Sequence, residues 1–168
     1  YAAGMLAAFL ASFYLLAKLC GFRRDKREFY SNFSRMVYGI ICFAVIFSAV
    51  GTILGGVWAN DSWGRFWGWD PKENGALLIV LSQLAILHGR MGGYLREHGI
   101  CMAAAFGGTI IAFSWFGVNL LGVGLHSYGF TSGIHEALWT YYFVQKRVCG
   151  LGAVTWLVER NRKAASPA

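Results

Sequence analysis

Charged residues are scarce in this sequence: only 14% of its 168 residues are Asp, Glu, Lys or Arg. A soluble domain of this size normally carries about a quarter charged residues. Hydrophobic residues make up 57% of the chain, aromatic residues 17%, and the mean hydropathy is +0.47. This composition indicates a protein that is solvated by lipid.

Closely spaced cysteine pairs are also absent. Without a CxxC motif, neither a zinc site nor a thiol-redox site is supported, and without CxxCH the chain is not itself a c-type cytochrome. We expect the cysteines to be small buried hydrophobic residues. They lie far apart, in or beside apolar runs, at Cys20, Cys42, Cys101 and Cys149.

Other absences narrow the possible functions further. The net charge of +7 does not indicate a nucleic-acid partner, because the basic residues cluster in short loops between apolar runs. No nucleophile or acid–base pair can be assigned a catalytic role. The chain starts at Tyr1 inside an apolar run, without the charged segment of a signal peptide. We therefore expect residues 1–168 to form a single transmembrane domain, the C-terminal part of a longer protein.

Five apolar runs predict an all-α integral membrane protein, a bundle of about five transmembrane helices. Each run approaches the ~20 residues that a helix needs to cross a bilayer. The last run is compromised as a span by the charges of Lys146 and Arg147 in its middle. The predicted spans are Ala2–Leu19, Met36–Trp58, Pro71–Arg90, Gly99–Val123 and Ala137–Val158.

The third helix has the clearest start signal. Asp70 can accept bonds from the first free backbone N–H groups, Pro71 suits the first helical position, and Glu73 completes a capping box. We expect Asp70 to act mainly as this cap. A helix from Pro71 to Arg90 would rise ~30 Å, which is enough to span.

The basic residues predict the orientation. They concentrate between the first two runs, between runs three and four, and in the tail, and the positive-inside rule assigns these segments to the cytoplasm. By alternation, residues 58–74 and 121–134 face outward. These two segments therefore share a compartment and can contribute to one site.

The outward segment 58–74 is rich in tryptophan: four of the seven tryptophans lie within twelve positions. Trp63, Phe66 and Trp67 would share a face if this part were helical. An aromatic belt at the membrane surface would explain the rings. Aromatic walls beside two cations would equally suit a flat apolar ligand with carboxylates, such as haem.

Two motifs carry a family resemblance. The run WGRFWGWDPKE, followed by NGALL, resembles the tryptophan-rich WWD signature of the haem-handling proteins of cytochrome c biogenesis, which include CcsA (ResC), CcmC and CcmF. The run FGVNLLGVGLHSYGF, residues 116–130, is similar to the CcsA branch in particular. The resemblance covers about residues 36–133.

This resemblance implies a function. Such a protein exports haem b, or holds it at the outer membrane face, and presents it for covalent attachment to the CxxCH thiols of apocytochrome c. It implies a CcsB (ResB)-type membrane partner or fused half, and a place in the bacterial inner membrane or the thylakoid membrane. The resemblance suggests a component of a holocytochrome c synthase complex and leaves open whether the chain is itself an enzyme.

The resemblance also assigns site residues. His126 matches the external axial haem ligand, and His88 matches a ligand of an inner site within the membrane. Imidazole is a common axial ligand of haem iron. In the outer site, Trp63, Trp67 and Trp69 would form the walls around the porphyrin. Arg65 or Lys72 would pair with the haem propionates.

Two histidines lie outside this pattern, and one family histidine is missing. His98 is expected to be a solvated loop residue, and His135 a bystander. The family's first external histidine, upstream of the tryptophan-rich segment, has no counterpart before Trp58. A small-solute or ion transporter and a structural membrane subunit stay open as alternative functions.

The predicted orientation is testable with topology reporters. A reporter fused after Ser62 should score as external and one fused after Arg96 as cytoplasmic, because the basic loops set the orientation. The measurement is reporter activity in whole cells. The opposite result at either fusion point would remove the shared outer compartment.

Overall fold

The computed structural model describes residues 1–23, 25–127, 129 and 132–165, with side chains up to Asn161. The described part is helical and contains no strand, which confirms the all-α prediction. The helices are α1 (Ala2–Leu19), α2 (Arg27–Trp63), α3 (Pro71–Met91), α4 (Glu97–Ala112) and α5 (Ile134–Ala165). A π-helical turn (Phe113–Gly117) and a 3-10 turn (Val118–Leu121) continue α4.

Three helical stretches in the described part are long and apolar enough to cross a membrane: α1, α2 and Glu97–Leu121. α3 and α5 are not among them. On α5, Lys146 and Arg147 are both exposed near the middle of the helix. The count of five spans therefore stays a prediction.

α2 is longer than the predicted span Met36–Trp58. Its 37 residues rise ~55 Å, well beyond the ~30 Å of a bilayer core. Nothing in the sequence stops the helix before Gly64, which ends it in the left-handed conformation with φ +71°. The helix thus includes Trp63 but not Phe66 or Trp67, so the helical face that those three residues would share does not form.

Small residues bring the first half of α1 into close contact with the last turns of α4. A Cβ on Gly108 would lie 2.6 Å from the Cβ of Ala8, and a Cβ on Gly4 would lie 2.6 Å from Cδ1 of Ile111. Lipid supplies no hydrophobic drive for helix association, so such close packing is a main source of its stability. The position of α4 is thereby fixed against α1.

Polar contacts attach α5 to the same pair of helices. The Gln145 amide Nε2 donates to the Ala105 carbonyl at 2.7 Å and to the Ser12 hydroxyl at 3.0 Å. Near the C-terminal end of α1, Lys18 pairs with Glu159 at 2.7 Å. α5 therefore runs in the same direction as α1 and antiparallel to α4.

His98 differs from its predicted environment. It lies in the first turn of α4, is only 9% exposed, and its Nε2 is 2.9 Å from the Gly152 carbonyl of α5. The prediction of a solvated loop residue was wrong, because α4 begins at Glu97 and α5 covers its first turn.

The four cysteines are free, as the sequence suggested, but their burial differs. Cys101 is fully buried, while Cys42 and Cys149 are half-buried. Cys20 is exposed, so the expected burial was wrong there, because it follows the last residue of α1.

The turns after α4 lie against the start of α3. A Cβ on Gly75 would be 3.0 Å from the Cβ of Ser114, so this glycine allows the close approach. The ammonium of Lys72 donates to the carbonyl of Trp115. These contacts hold the π-helical turn against the first turn of α3.

Candidate functional site

The predicted capping box at the start of α3 is present. Asp70 Oδ1 accepts hydrogen bonds from the backbone N–H groups of Lys72 and Glu73, both at 3.0 Å. Glu73 Oε2 in return accepts from the backbone N–H of Asp70 at 3.2 Å and of Gly68 at 2.7 Å. Both carboxylates are buried. The cap therefore fixes the backbone of residues 68–73.

Arg65 closes this turn from the other side. Its Nη1 lies 3.3 Å from Glu73 Oε1, and its Nη2 lies 4.0 Å from Asp70 Oδ2. The guanidinium of Arg65 lies in the space where a Cβ of residue 68 would stand, with Nη1 only 1.1 Å from that position, so the glycine at Gly68 leaves room for it. Trp69 adopts the left-handed conformation with φ +59°, which is strained for a residue other than glycine.

The second motif meets the first at His126. Its Nδ1 lies 2.5 Å from Asp70 Oδ2, across 56 positions of sequence. The contact needs glycine at Gly124, which has φ +86° and whose Cβ would lie 2.8 Å from that of Asp70. The ring of Trp63 stands edge-on to the imidazole, with centroids 4.8 Å apart. The structure thus joins the tryptophan-rich segment and the later loop into one site.

The charge state of Asp70 follows from these contacts. Burial raises the pKa of the carboxyl group, but the hydrogen bonds from His126 and from the backbone amides of Glu73 and Lys72 outweigh it. The pKa of Asp70 therefore lies below its ordinary value, and the imidazole faces an ionised carboxylate.

A cavity of about 370 Å³ opens beside His126, between the C-terminal half of α2 and the start of α3. Small-molecule sites usually measure ~300–1,000 Å³. The floor is formed by α2, where a Cβ on Gly51 or Gly55 would meet no atom within 4 Å. Phe66 and Trp67 line the cavity from the tryptophan-rich segment.

The structure brings six of the seven predicted site residues into one region. His126, Trp67 and Lys72 line the cavity. Trp63 contacts His126, and Arg65 is held by the two carboxylates. Trp69 packs edge-on against Trp67 and is 69% exposed as a residue.

His88 is the seventh residue and lies elsewhere. It is exposed in the last turn of α3, where its Nδ1 donates to the Leu84 carbonyl at 2.8 Å. The helix rise places it ~27 Å from Asp70, eighteen residues away. His88 and His126 therefore cannot ligate the same iron atom.

Sequence reasoning missed the α2 wall of the cavity. The spacing of Gly51 and Gly55 by one helical turn was the available signal. The hydroxyl of Ser48 is buried in this wall and has no hydrogen-bond partner among the described residues. The missed lining residues include Tyr1, Phe47, Ser48, Gly51, Thr52 and Gly55.

Donor atoms of Asp70, Glu73 and His126 lie within 4.8 Å of one another, a spacing that a metal ion could use. Their carboxylate oxygens, however, already accept from backbone N–H groups and from the imidazole. Arg65 adds a positive charge at the same place. The cluster is therefore a hydrogen-bond network in which the donors and the Arg65 charge disfavour a free cation.

Comparison with known proteins gives the family. The family described as Cytochrome C assembly protein matches residues 1–126. Among curated proteins, the cytochrome c biogenesis protein CcsA of Helianthus annuus is 40% identical over 104 residues, which is 62% of this chain and 32% of that protein. The CcsA of Calycanthus floridus var. glaucus is 45% identical over 92 residues, 55% of this chain and 28% of that protein.

The CcsA of Lotus japonicus is 42% identical over 106 residues, or 62% of this chain and 33% of that protein. The chain thus spans about a third of the length of these relatives. No solved structure matches the chain. The family match covers most of the chain and reaches His126. The chain belongs to the cytochrome c assembly protein family.

Proposed function

We propose that this chain acts in cytochrome c biogenesis by holding haem b in the cavity beside His126. It would present the haem at the outer membrane face for attachment to the CxxCH thiols of apocytochrome c. One observation carries the proposal. The imidazole of His126 lies in the wall of a cavity that is also lined by the indole of Trp67 and the ammonium group of Lys72.

The lining fits the chemistry of haem. Aromatic rings and a glycine-lined helix surface suit the flat apolar porphyrin, and Phe66 and Trp67 would pack on it. Lys72 would pair with a propionate through an N–H group that its bond to the Trp115 carbonyl leaves unused. The guanidinium of Arg65, in contrast, is held by the two carboxylates of Glu73 and Asp70. With Nδ1 of His126 donating to Asp70, the iron would bind Nε2.

The chain's contribution would be orientation and iron ligation, because the reacting groups belong to the haem vinyls and the cysteine thiols. A thioether forms when a thiol adds across a vinyl group. A CcsB-type membrane partner and apocytochrome c are the proposed partners. We place the site on the periplasmic or lumenal side, in line with the loop charges.

His88 would serve a separate inner site. An ionisable residue within the membrane is a functional candidate by default, and His88 would take such a position if α3 spans the membrane as the sequence predicts. Because ~27 Å of helix separates the two levels, haem would bind the two histidines in sequence. Export from the inner to the outer face would make His88 the first and His126 the second.

The first prediction for this site concerns His126. His126→Ala should lower the bound haem and stop maturation of client cytochromes, because one axial ligand is lost. The measurements are the Soret absorbance of the purified protein and haem staining of clients. Added imidazole should restore both. Normal maturation without imidazole would refute the assignment.

The second prediction tests the cavity itself. Gly55→Leu should place a four-carbon side chain in the cavity and lower haem per protein. It should not weaken α2, because leucine is the better helix former by ~0.8 kcal/mol. Gly39→Leu is the matched control, since Gly39 also lies on α2 with open space around its Cβ but does not line the cavity. Equal haem content in the two variants would exclude this cavity as the haem site.

The third prediction separates the two histidines. His88→Ala should deplete haem at the outer site as well, whereas His126→Ala should leave haem at the inner site. The measurement is haem per protein in both single variants and the double variant. If His88→Ala retains full haem and matures cytochromes normally, His88 is only a helix-end residue.

A further inference from the structure

The two oxygens of the Asp70 carboxylate have different partners. Oδ1 accepts from the backbone N–H groups of Lys72 and Glu73 and starts α3. Oδ2 accepts from His126 Nδ1 at 2.5 Å. Only the first of these contacts is a helix cap.

We propose that Asp70 is a positioning residue for His126. Its carboxylate fixes which imidazole nitrogen carries the proton, holds the ring plane, and increases electron donation from Nε2 to iron. This inference rests on the proposed function, in which His126 ligates haem iron. A carboxylate on the second nitrogen of a ligating histidine is a common device for orienting and tuning it.

The geometry makes Asp70 a rigid support. Its side chain is 5% exposed, so water does not compete for Oδ2. Two backbone N–H bonds on Oδ1 prevent the carboxylate from rotating. The Trp63 ring stands edge-on to the imidazole, and the absence of a Cβ at Gly124 lets the loop of His126 reach the carboxylate.

Asparagine separates the two roles of Asp70. Asn caps a helix about as well as Asp, so a residue that is only a cap should tolerate Asp70→Asn. The amide, however, has one oxygen. When that oxygen caps α3, the NH₂ group faces the N–H of His126, and donor meets donor. When the amide is turned, His126 regains an acceptor but α3 loses its cap.

The experiment compares variants of the full chain, purified from membranes in detergent. Asp70→Asn should lower haem affinity about 10- to 100-fold, as loss of such a partner does at other metal sites. The haem that stays bound should have a more positive reduction potential, because the imidazole donates less electron density to the iron and so stabilises the ferric state less. Added imidazole should restore the haem content.

Asp61→Asn is the matched control. It removes the same charge from an exposed position near the end of α2, and it should leave haem affinity and potential unchanged. If Asp70→Asn behaves like Asp61→Asn in both measurements, the positioning role is refuted.

Gly124→Ala keeps the test decisive if Asp70→Asn also lowers the melting temperature. The added Cβ would press on Asp70 at a backbone angle that favours glycine, so it should separate His126 from the carboxylate without changing the capping group. It should reproduce the weaker affinity and the positive shift in potential. Wild-type values in this variant would count against the inference.

The double variant with His126→Ala separates this inference from the proposed function. If Asp70 acts through His126, Asp70→Asn should cause no further loss in the His126→Ala background. Full haem binding by His126→Ala itself would refute the proposed function. Loss with His126→Ala but not with Asp70→Asn would refute only the positioning role.

Discussion

One carboxylate joins the two halves of the site. Asp70 starts α3 with one oxygen and accepts from His126 with the other. A helix start and a distant loop therefore depend on the same buried charge. Displacing Asp70 would disturb the first turn of α3, the loop that carries His126, and the cavity between them.

A buried carboxylate is stable only when its lone pairs are satisfied. Here two backbone N–H groups, the imidazole and the nearby guanidinium of Arg65 supply the donors. This requirement explains several local features of the motif. Gly68 makes room for Arg65, Gly124 allows the loop to approach, and Trp69 takes a left-handed backbone conformation. Strain of this kind persists where surrounding contacts determine it.

The cavity depends on a second constraint, the course of α2. Its glycine-lined surface at Gly51 and Gly55 forms the floor opposite Trp67, and the helix then continues past the predicted span to Trp63, whose ring contacts His126. The close packing of α1 with α4 also fixes the position of the π-helical turn after α4, and this turn begins the segment that leads to His126.

The sequence by itself determined the all-helical class, the apolar runs and the start of α3, since these follow from local composition and from the capping box of Asp70 and Glu73. Its two motifs also indicated the family and the site residues. Only the tertiary structure decided the burial of His98, the folding of Arg65 over Gly68, and the contact between Asp70 and His126. These features depend on atoms that come together only when separate helices pack. A helix cap is set by neighbours in sequence, whereas the second partner of the same carboxylate lies 56 residues away.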